Sequence, residues 1–184
     1  MTMALLEPVS VASRGWLNAH LPQRSLLDGR GLSPSDPAVY AITDFSRDYP
    51  VTVDPDRSID DALVEMVHLG VRALLVAREE RLIGLITSYD IQGEKPMQFL
   101  LSSTFGRHAD LRVAHIMTPW ERLRALEWRS IEEARAADLL RVFETTGLTH
   151  LLIIQPGPDS NVVVRGLASR ARLLRQLAHL RRAG

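Results

Sequence analysis

The stretch Gly70-Val71-Arg72-Ala73-Leu74-Leu75-Val76 returns later in the chain as Gly147-Leu148-Thr149-His150-Leu151-Leu152-Ile153. In each copy a glycine closes a helical pattern, where a left-handed residue is wanted. A nearly continuous apolar run follows, with the length of a strand buried on both faces. Working outward toward the N-terminus, Ser58-Ile59-Asp60-Asp61-Ala62 matches Ser130-Ile131-Glu132-Glu133-Ala134. Toward the C-terminus, Gly84-Leu85-Ile86-Thr87-Ser88-Tyr89-Asp90 matches Gly166-Leu167-Ala168-Ser169-Arg170-Ala171-Arg172. Three matched blocks in the same order mark an internal repeat. The copies part at one position. The first ends in Thr-x-x-Asp, the second in Ser-x-x-Arg.

The elements between these blocks follow from local chemistry. Val51-Thr52-Val53 is a short β-branched run stopped by Asp54-Pro55-Asp56, so it reads as strand then turn. Ser58 is a good N-cap, and Ala62, Leu63, Met66, Val67 and Leu69 share a helical face. Val71 to Ala77 and Leu82 to Thr87 read as a strand hairpin, and a second helix starts at Asp90. The second copy repeats the plan. It has an opening strand over Arg122–Leu126 and a capping box at Ser130 and Glu133, with a helix running to about Thr146. Strands over Leu148–Ile154 and Val162–Ala168 follow. The last helix carries Leu173, Leu174, Leu177 and Leu180 on one face among arginines. Between the copies, a helix is expected around Met97 to Ser102, and Val113 to Met117 leads into repeat two. Each unit is βαββα, so the fold class is α/β (α+β), with two units packed about a pseudo-twofold axis. The expected organisation is an irregular N-terminal arm over 1–40, repeat one with its following helix and linker over 41–108, and repeat two over 109–184. Gly15, Gly29, Gly31, Pro8, Pro22, Pro34 and Pro37 break up the arm. Trp16, Leu17 and Leu21 could form a short helix within it.

Composition narrows the function. The chain has 184 residues, 46% apolar and 24% charged, with net charge zero at pH 7. That balance argues against general nucleic-acid binding, which needs excess cations to neutralise phosphates. There is no cysteine, which excludes disulfides, thiolate metal sites and cysteine nucleophiles. The start of the chain lacks the pattern of a signal peptide, and no apolar run approaches the roughly 18 residues that span a bilayer. A cytoplasmic protein is expected, with no membrane partner. The histidines are scattered without metal-ligand spacing, no phosphate-binding glycine loop is present, and no nucleophile–base pair stands out. These residues describe no enzyme and no resident cofactor or metal.

Val-Thr-Val-Asp-Pro-Asp-x-Ser-Ile-x-x-Ala, then Gly-Val-x-x-Leu-x-Val, then Gly-Leu-Ile-Thr-x-x-Asp-Ile resembles a CBS domain, the module named after cystathionine β-synthase. Ile-Met-Thr-Pro at 116–119 is similar to the lead-in before many second CBS repeats. The resemblance covers about 41 to 182 and implies a stand-alone CBS pair (a Bateman module). It further implies a regulatory ligand sensor that binds an adenine nucleotide. AMP, ADP or ATP would be the ligand, and S-adenosylmethionine ranks behind them. It implies a homodimer too, with Met66, Val67, Val142 and Phe143 near its faces, and a regulated protein partner that the sequence does not name.

The family shares each nucleotide site between repeats. Carried over, the first site would combine Leu85, Thr87, Tyr89 and Asp90 with Arg122, Leu123, Thr149 and His150. A strand-end threonine and the N–H groups of a helix start suit an anion, and a carboxylate one turn on suits a ribose diol. Tyr89 and Leu123 would offer apolar surface to the base, with His150 and Arg122 near the phosphate. The plain alternatives stay open: Asp90 as a helix cap, and His150 as the edge of a packed strand. The second site would pair Ser169 and Arg172 with Pro50, Val51, Arg72 and Ala73. Arg172 cannot accept a hydrogen bond from a ribose, so this site is expected to be weak or empty. The rival to a sensor is a dimerisation module with no ligand, which the missing aspartate favours and the Thr87/Asp90 pair opposes.

Overall fold

A computed structural model describes residues 31–79, 81–102, 107–157 and 161–180. It is an α+β structure with two four-stranded sheets. In repeat one, β2 (Thr52–Val53) runs parallel to β3 (Ala73–Arg78), which pairs antiparallel with β4 (Arg81–Thr87). Ser58 caps α1 (Ile59–His68), its hydroxyl accepting from the Asp61 N–H at 3.1 Å. The short α2 (Ser88–Gln92) leaves β4, and α3 (Lys95–Ser102) follows. In repeat two, β6 (Ala125–Glu127) runs parallel to β7 (His150–Pro156), which pairs with β8 (Val162–Ser169). The helices there are α5 (Trp128–Glu133), α6 (Ala136–Thr146) and α7 (Arg170–Leu180).

Each sheet is completed by a strand from the segment that precedes the other repeat. β1 (Ile42–Asp44) pairs with β8, and β5 (Thr118–Pro119) pairs with β4. The cores exchange segments too. Leu32, Ala38, Ala41 and Ile42 pack with Phe143, Leu139 and Ile153 of repeat two. Leu111, Val113 and Ile116, the last two from α4 (Val113–Ile116), pack with Met66, Leu74 and Ile86 of repeat one. Sheets and cores therefore do not follow the sequence boundary between 108 and 109. The stretch Val113 to Met117, read as a lead-in to repeat two, is mostly a helix in the core of repeat one. A third cluster joins the sheets face to face, with Leu75 and Leu85 meeting Leu152, Ile154, Val164 and Leu167. Alternate residues of β3 and β7 thus face their own helices or the other sheet, as the unbroken apolar runs predicted.

Two glycines let the exchanged strands dock. A Cβ on Gly166 would lie 2.5 Å from the Thr43 carbonyl oxygen, and one on Gly84 would lie 2.8 Å from the Thr118 carbonyl oxygen. Both obstacles are backbone atoms and cannot rotate away. Gly166→Ala should therefore push β1 off β8 and cost about 1–3 kcal/mol by overpacking. Urea unfolding of the purified variant would show this, and an unchanged midpoint would sink the steric account. Asp44 reinforces the same junction through an ion pair with Arg165 at 2.9 Å, whose guanidinium lies 4.5 Å from the Trp128 ring centre. Burial alone would raise the Asp44 pKa. Hydrogen bonds from the Ser46 N–H and hydroxyl and from Arg165 outweigh it and hold the carboxyl below its usual range.

The structure corrects several readings of repeat two. The capping box expected at Ser130 and Glu133 does not form. Those residues lie inside α5, and the chain is extended at Ala134 before α6 begins. The structural counterpart of Ser58 is Arg135, whose N–H donates to the Asp138 carboxylate at 3.0 Å. Nine residues separate Leu126 from Arg135, against five from Val53 to Ser58. The extra four residues create α5 and shift the match. The opening strand starts at Ala125, and Arg122 lies in a 3₁₀ turn over Trp120–Arg122. Met66 and Phe143, placed near a dimer face, are fully buried in their own cores, while Val67 is exposed and Val142 packs against the repeat-two core. On α7, Leu173 is buried but Leu174 is exposed. The side chain of Leu180, and the helix expected around Trp16, Leu17 and Leu21, lie outside what the structure describes.

Candidate functional site

The Thr-x-x-Asp segment sits where β4 turns into α2. Thr87 is buried and caps the helix, its hydroxyl accepting from the Asp90 N–H at 3.2 Å. Asp90 Oδ2 answers by accepting from the Thr87 N–H at 2.8 Å and the Thr87 hydroxyl at 2.7 Å. This reciprocal box satisfies two donors of the first turn. The other oxygen, Oδ1, is held by the Lys95 ammonium at 2.5 Å. Lys95 also reaches the Thr118 hydroxyl at 3.4 Å and the Ile116 carbonyl at 3.5 Å. It is the only lysine in the chain. Asp90 is thus the helix cap that the tetrapeptide allowed, with its outer oxygen covered by a cation that the sequence reading missed. Lys95 lies five residues after Asp90, which is not a helical spacing. The contact exists because the chain is extended at Gly93, between α2 and α3.

Across the repeat boundary, Asp90 faces His150 at the start of β7. Burial depresses the His150 pKa, and the Asp90 charge partly opposes that. His150 Nδ1 is also hydrogen bonded to the Thr149 hydroxyl at 3.1 Å. Leu85 and Leu123 meet in the cluster between the sheets. Of the first set of residues, hydrogen bonds join Thr87 to Asp90 and Thr149 to His150, the Asp90 charge acts on His150, and Leu85 meets Leu123 between the sheets. Tyr89 is half-exposed and accepts from Arg72 Nη1 at 3.5 Å, which ties it to a residue expected in the second site. Arg122 is exposed in its turn.

A depressed His150 pKa means that the folded state prefers neutral imidazole. The unfolded chain then binds the extra proton, so this contribution is fully present above about pH 6.5 and is lost as pH falls through the folded value. His150→Gln should flatten the acid side of the stability profile. Parallel acid limbs in the two proteins, measured by thermal melts between pH 5 and 8, would contradict it.

The second site is built differently. Arg172 takes the position equivalent to Asp90 and donates to the Thr43 hydroxyl at 3.1 Å. Thr43 opposes Leu167 on β8 just as Thr118 opposes Leu85 on β4. Equivalent threonines therefore each hold a cation, Lys95 in one repeat and Arg172 in the other. Ser169 pairs in register with His150. Val51 packs on the repeat-one core, Ala73 packs between the sheets, and Arg72 donates to the Tyr89 hydroxyl. A cleft of about 1120 Å³ opens at the other end of the sheets, beside the β3–β4 turn. Phe45 and Trp120 flank it, with Arg78, Arg81 and Val164, and Pro50 is the one expected site residue that lines it.

The CBS-domain family model matches residues 42–94. Among solved structures, an uncharacterized conserved protein from Pyrococcus horikoshii is similar at 19% identity, over 78% of this chain and 93% of that one, with a TM-score of 0.53. CBSX2 in complex with AMP is similar at 22% identity, over 79% and 98% of the two chains, with a TM-score of 0.51. The CBS domain of the bacterial CNNM/CorC family Mg2+ transporter in complex with ATP is similar at 15% identity, over 79% and 89%, with a TM-score of 0.51. No curated protein sequence matches the chain. Among the described residues no helix is long and apolar enough to cross a membrane. The family match is confined to the first repeat, and the two equivalent sheets that exchange their outer strands give the chain the fold of those CBS-pair structures.

Proposed function

We propose that this CBS pair is a regulatory protein that binds one adenine nucleotide per chain, at the site around Thr87, Asp90 and His150. The observation that carries the reading is the Thr87–Asp90 box at the end of β4, with the Asp90 charge acting on His150 of repeat two. A ligand at that junction would touch both halves of the molecule. It could then favour one arrangement of the pair over another, which any signal requires. Thr87 and Asp90 suit a ribose phosphate, Leu85, Leu123 and Tyr89 suit a base, and relatives of the same fold are complexes with AMP and ATP. The second site stays empty, since Arg172 supplies no acceptor and is already bonded to Thr43. The protein is cytoplasmic, acts as a homodimer, and passes its signal to a protein partner.

Titration calorimetry of nucleotide-free protein with AMP, ADP, ATP and S-adenosylmethionine tests this. Saturable binding of one of them, at one site per chain, is expected. No heat with any of the four would favour the second reading, a ligand-free dimerisation module. That reading draws on exposed Val64 and Val67 on α1 as well as on Arg172.

A further inference from the structure

Resting on the nucleotide site just proposed, we infer that Lys95 is its specificity-determining residue, a removable plug that admits phosphorylated ribosides and turns away bare nucleosides. Both carboxylate oxygens of Asp90 are engaged, Oδ2 by its own helix and Oδ1 by the Lys95 ammonium at 2.5 Å. A ribose diol needs the outer oxygen as an acceptor, so it must displace Lys95. An uncharged nucleoside offers the ammonium nothing in return. A phosphate offers a charge-assisted partner, and lysine is a common phosphate ligand.

Repeat two supplies an internal comparison. The cation there is Arg172, built into the aspartate position itself and bonded to Thr43, the counterpart of Thr118. It cannot leave without taking the recognition position with it. In repeat one the cation comes from a different residue on a separate helix. The extended backbone at Gly93 interrupts the helix there, whereas α7 runs unbroken from Arg170 to Leu180. The residue of α7 equivalent to Lys95 is Leu177, which packs against the repeat-two core. Lys95 itself is about half exposed, with 45% of its side chain accessible, and has room to swing away. One site is sealed, and the other is gated.

The test compares adenosine and AMP on wild type and Lys95→Met. Wild type should bind AMP well and adenosine poorly. Loss of the plug should tighten adenosine binding roughly fivefold, the worth of a partly exposed ion pair, and so narrow the AMP-to-adenosine preference. Acetylating the wild-type protein neutralises this single lysine besides the chain terminus, and it should reproduce the variant. Adenosine affinity that is unchanged or weaker, with the AMP preference intact, would overturn the role of Lys95 and leave the nucleotide site standing. Binding of neither compound to either protein would remove the nucleotide site, and this inference with it.

Discussion

Asp90→Ala is expected to weaken AMP binding by roughly ten- to a hundredfold, with only a modest loss of stability. The binding estimate is the worth of hydrogen bonds to a charged acceptor, about 1.5–3 kcal/mol. The stability loss comes from the helix start. Without the carboxylate, the Thr87 N–H and hydroxyl lose their acceptor, at a cost of about 1 kcal/mol for such a cap. Freed Lys95 adds little, because its half-exposed ammonium is solvated once released. Asp90→Asn separates the two roles. It keeps an oxygen for the cap, but it loses the charge that holds Lys95 and faces His150. Calorimetry gives the affinities, and thermal melts of the same samples give the stability. If Asp90→Ala binds AMP like wild type, the ligand does not use this carboxylate and the site must be sought elsewhere.

Much of the fold was legible because burial on both faces leaves a strong mark. The runs ending at Val76 and Ile153, each after a positive-φ glycine, fixed the two central strands. The match between Gly84 and Gly166 was also sound, and both glycines proved to be docking points for an exchanged strand. The match between Ser58 and Ser130 was false. Helix α5 brought a second Ser-Ile-acidic-acidic-Ala segment to the wrong place in the repeat, and capping chemistry recurs too readily to fix register alone. The exchanged strands were overlooked because two or three residues carry almost no periodicity. Thr43 and Thr118, each followed two residues later by an aromatic, Phe45 or Trp120, were the available signal. At the site, the Asp90 charge acts on His150 across the repeats. The Lys95 contact could not be read, since it depends on a helix break at Gly93 and not on spacing along a helix.

Phe143→Ala should destabilise the protein by about 3–5 kcal/mol, and the loss should be felt in both repeats. Phe143 is fully buried and packs with Leu139, Ile153 and Leu173, so its removal leaves a cavity that the surrounding elements fill only in part. Set against a typical domain stability of about 5–15 kcal/mol, that is a large share. Its reach depends on the exchange of segments. The core around Phe143 includes Ala38, Ala41 and Ile42, which lead directly into repeat one. The core of repeat one includes Leu111, Val113 and Ile116, which lead into repeat two. The sheets also share the cluster of Leu75, Leu85 and Leu152. Neither repeat can open without stripping apolar surface from the other, so the pair should unfold as one cooperative unit. In native-state hydrogen exchange on the milder Phe143→Leu, protection of the Leu74, Leu75 and Val76 amides should fall together with that of Leu151, Leu152 and Ile153. Lost protection confined to the second group, or two resolved melting transitions, would mean that the repeats are independent. A ligand bridging Asp90 and His150 would then have to couple halves that the fold leaves apart, and the sensor would need its rigidity from the dimer.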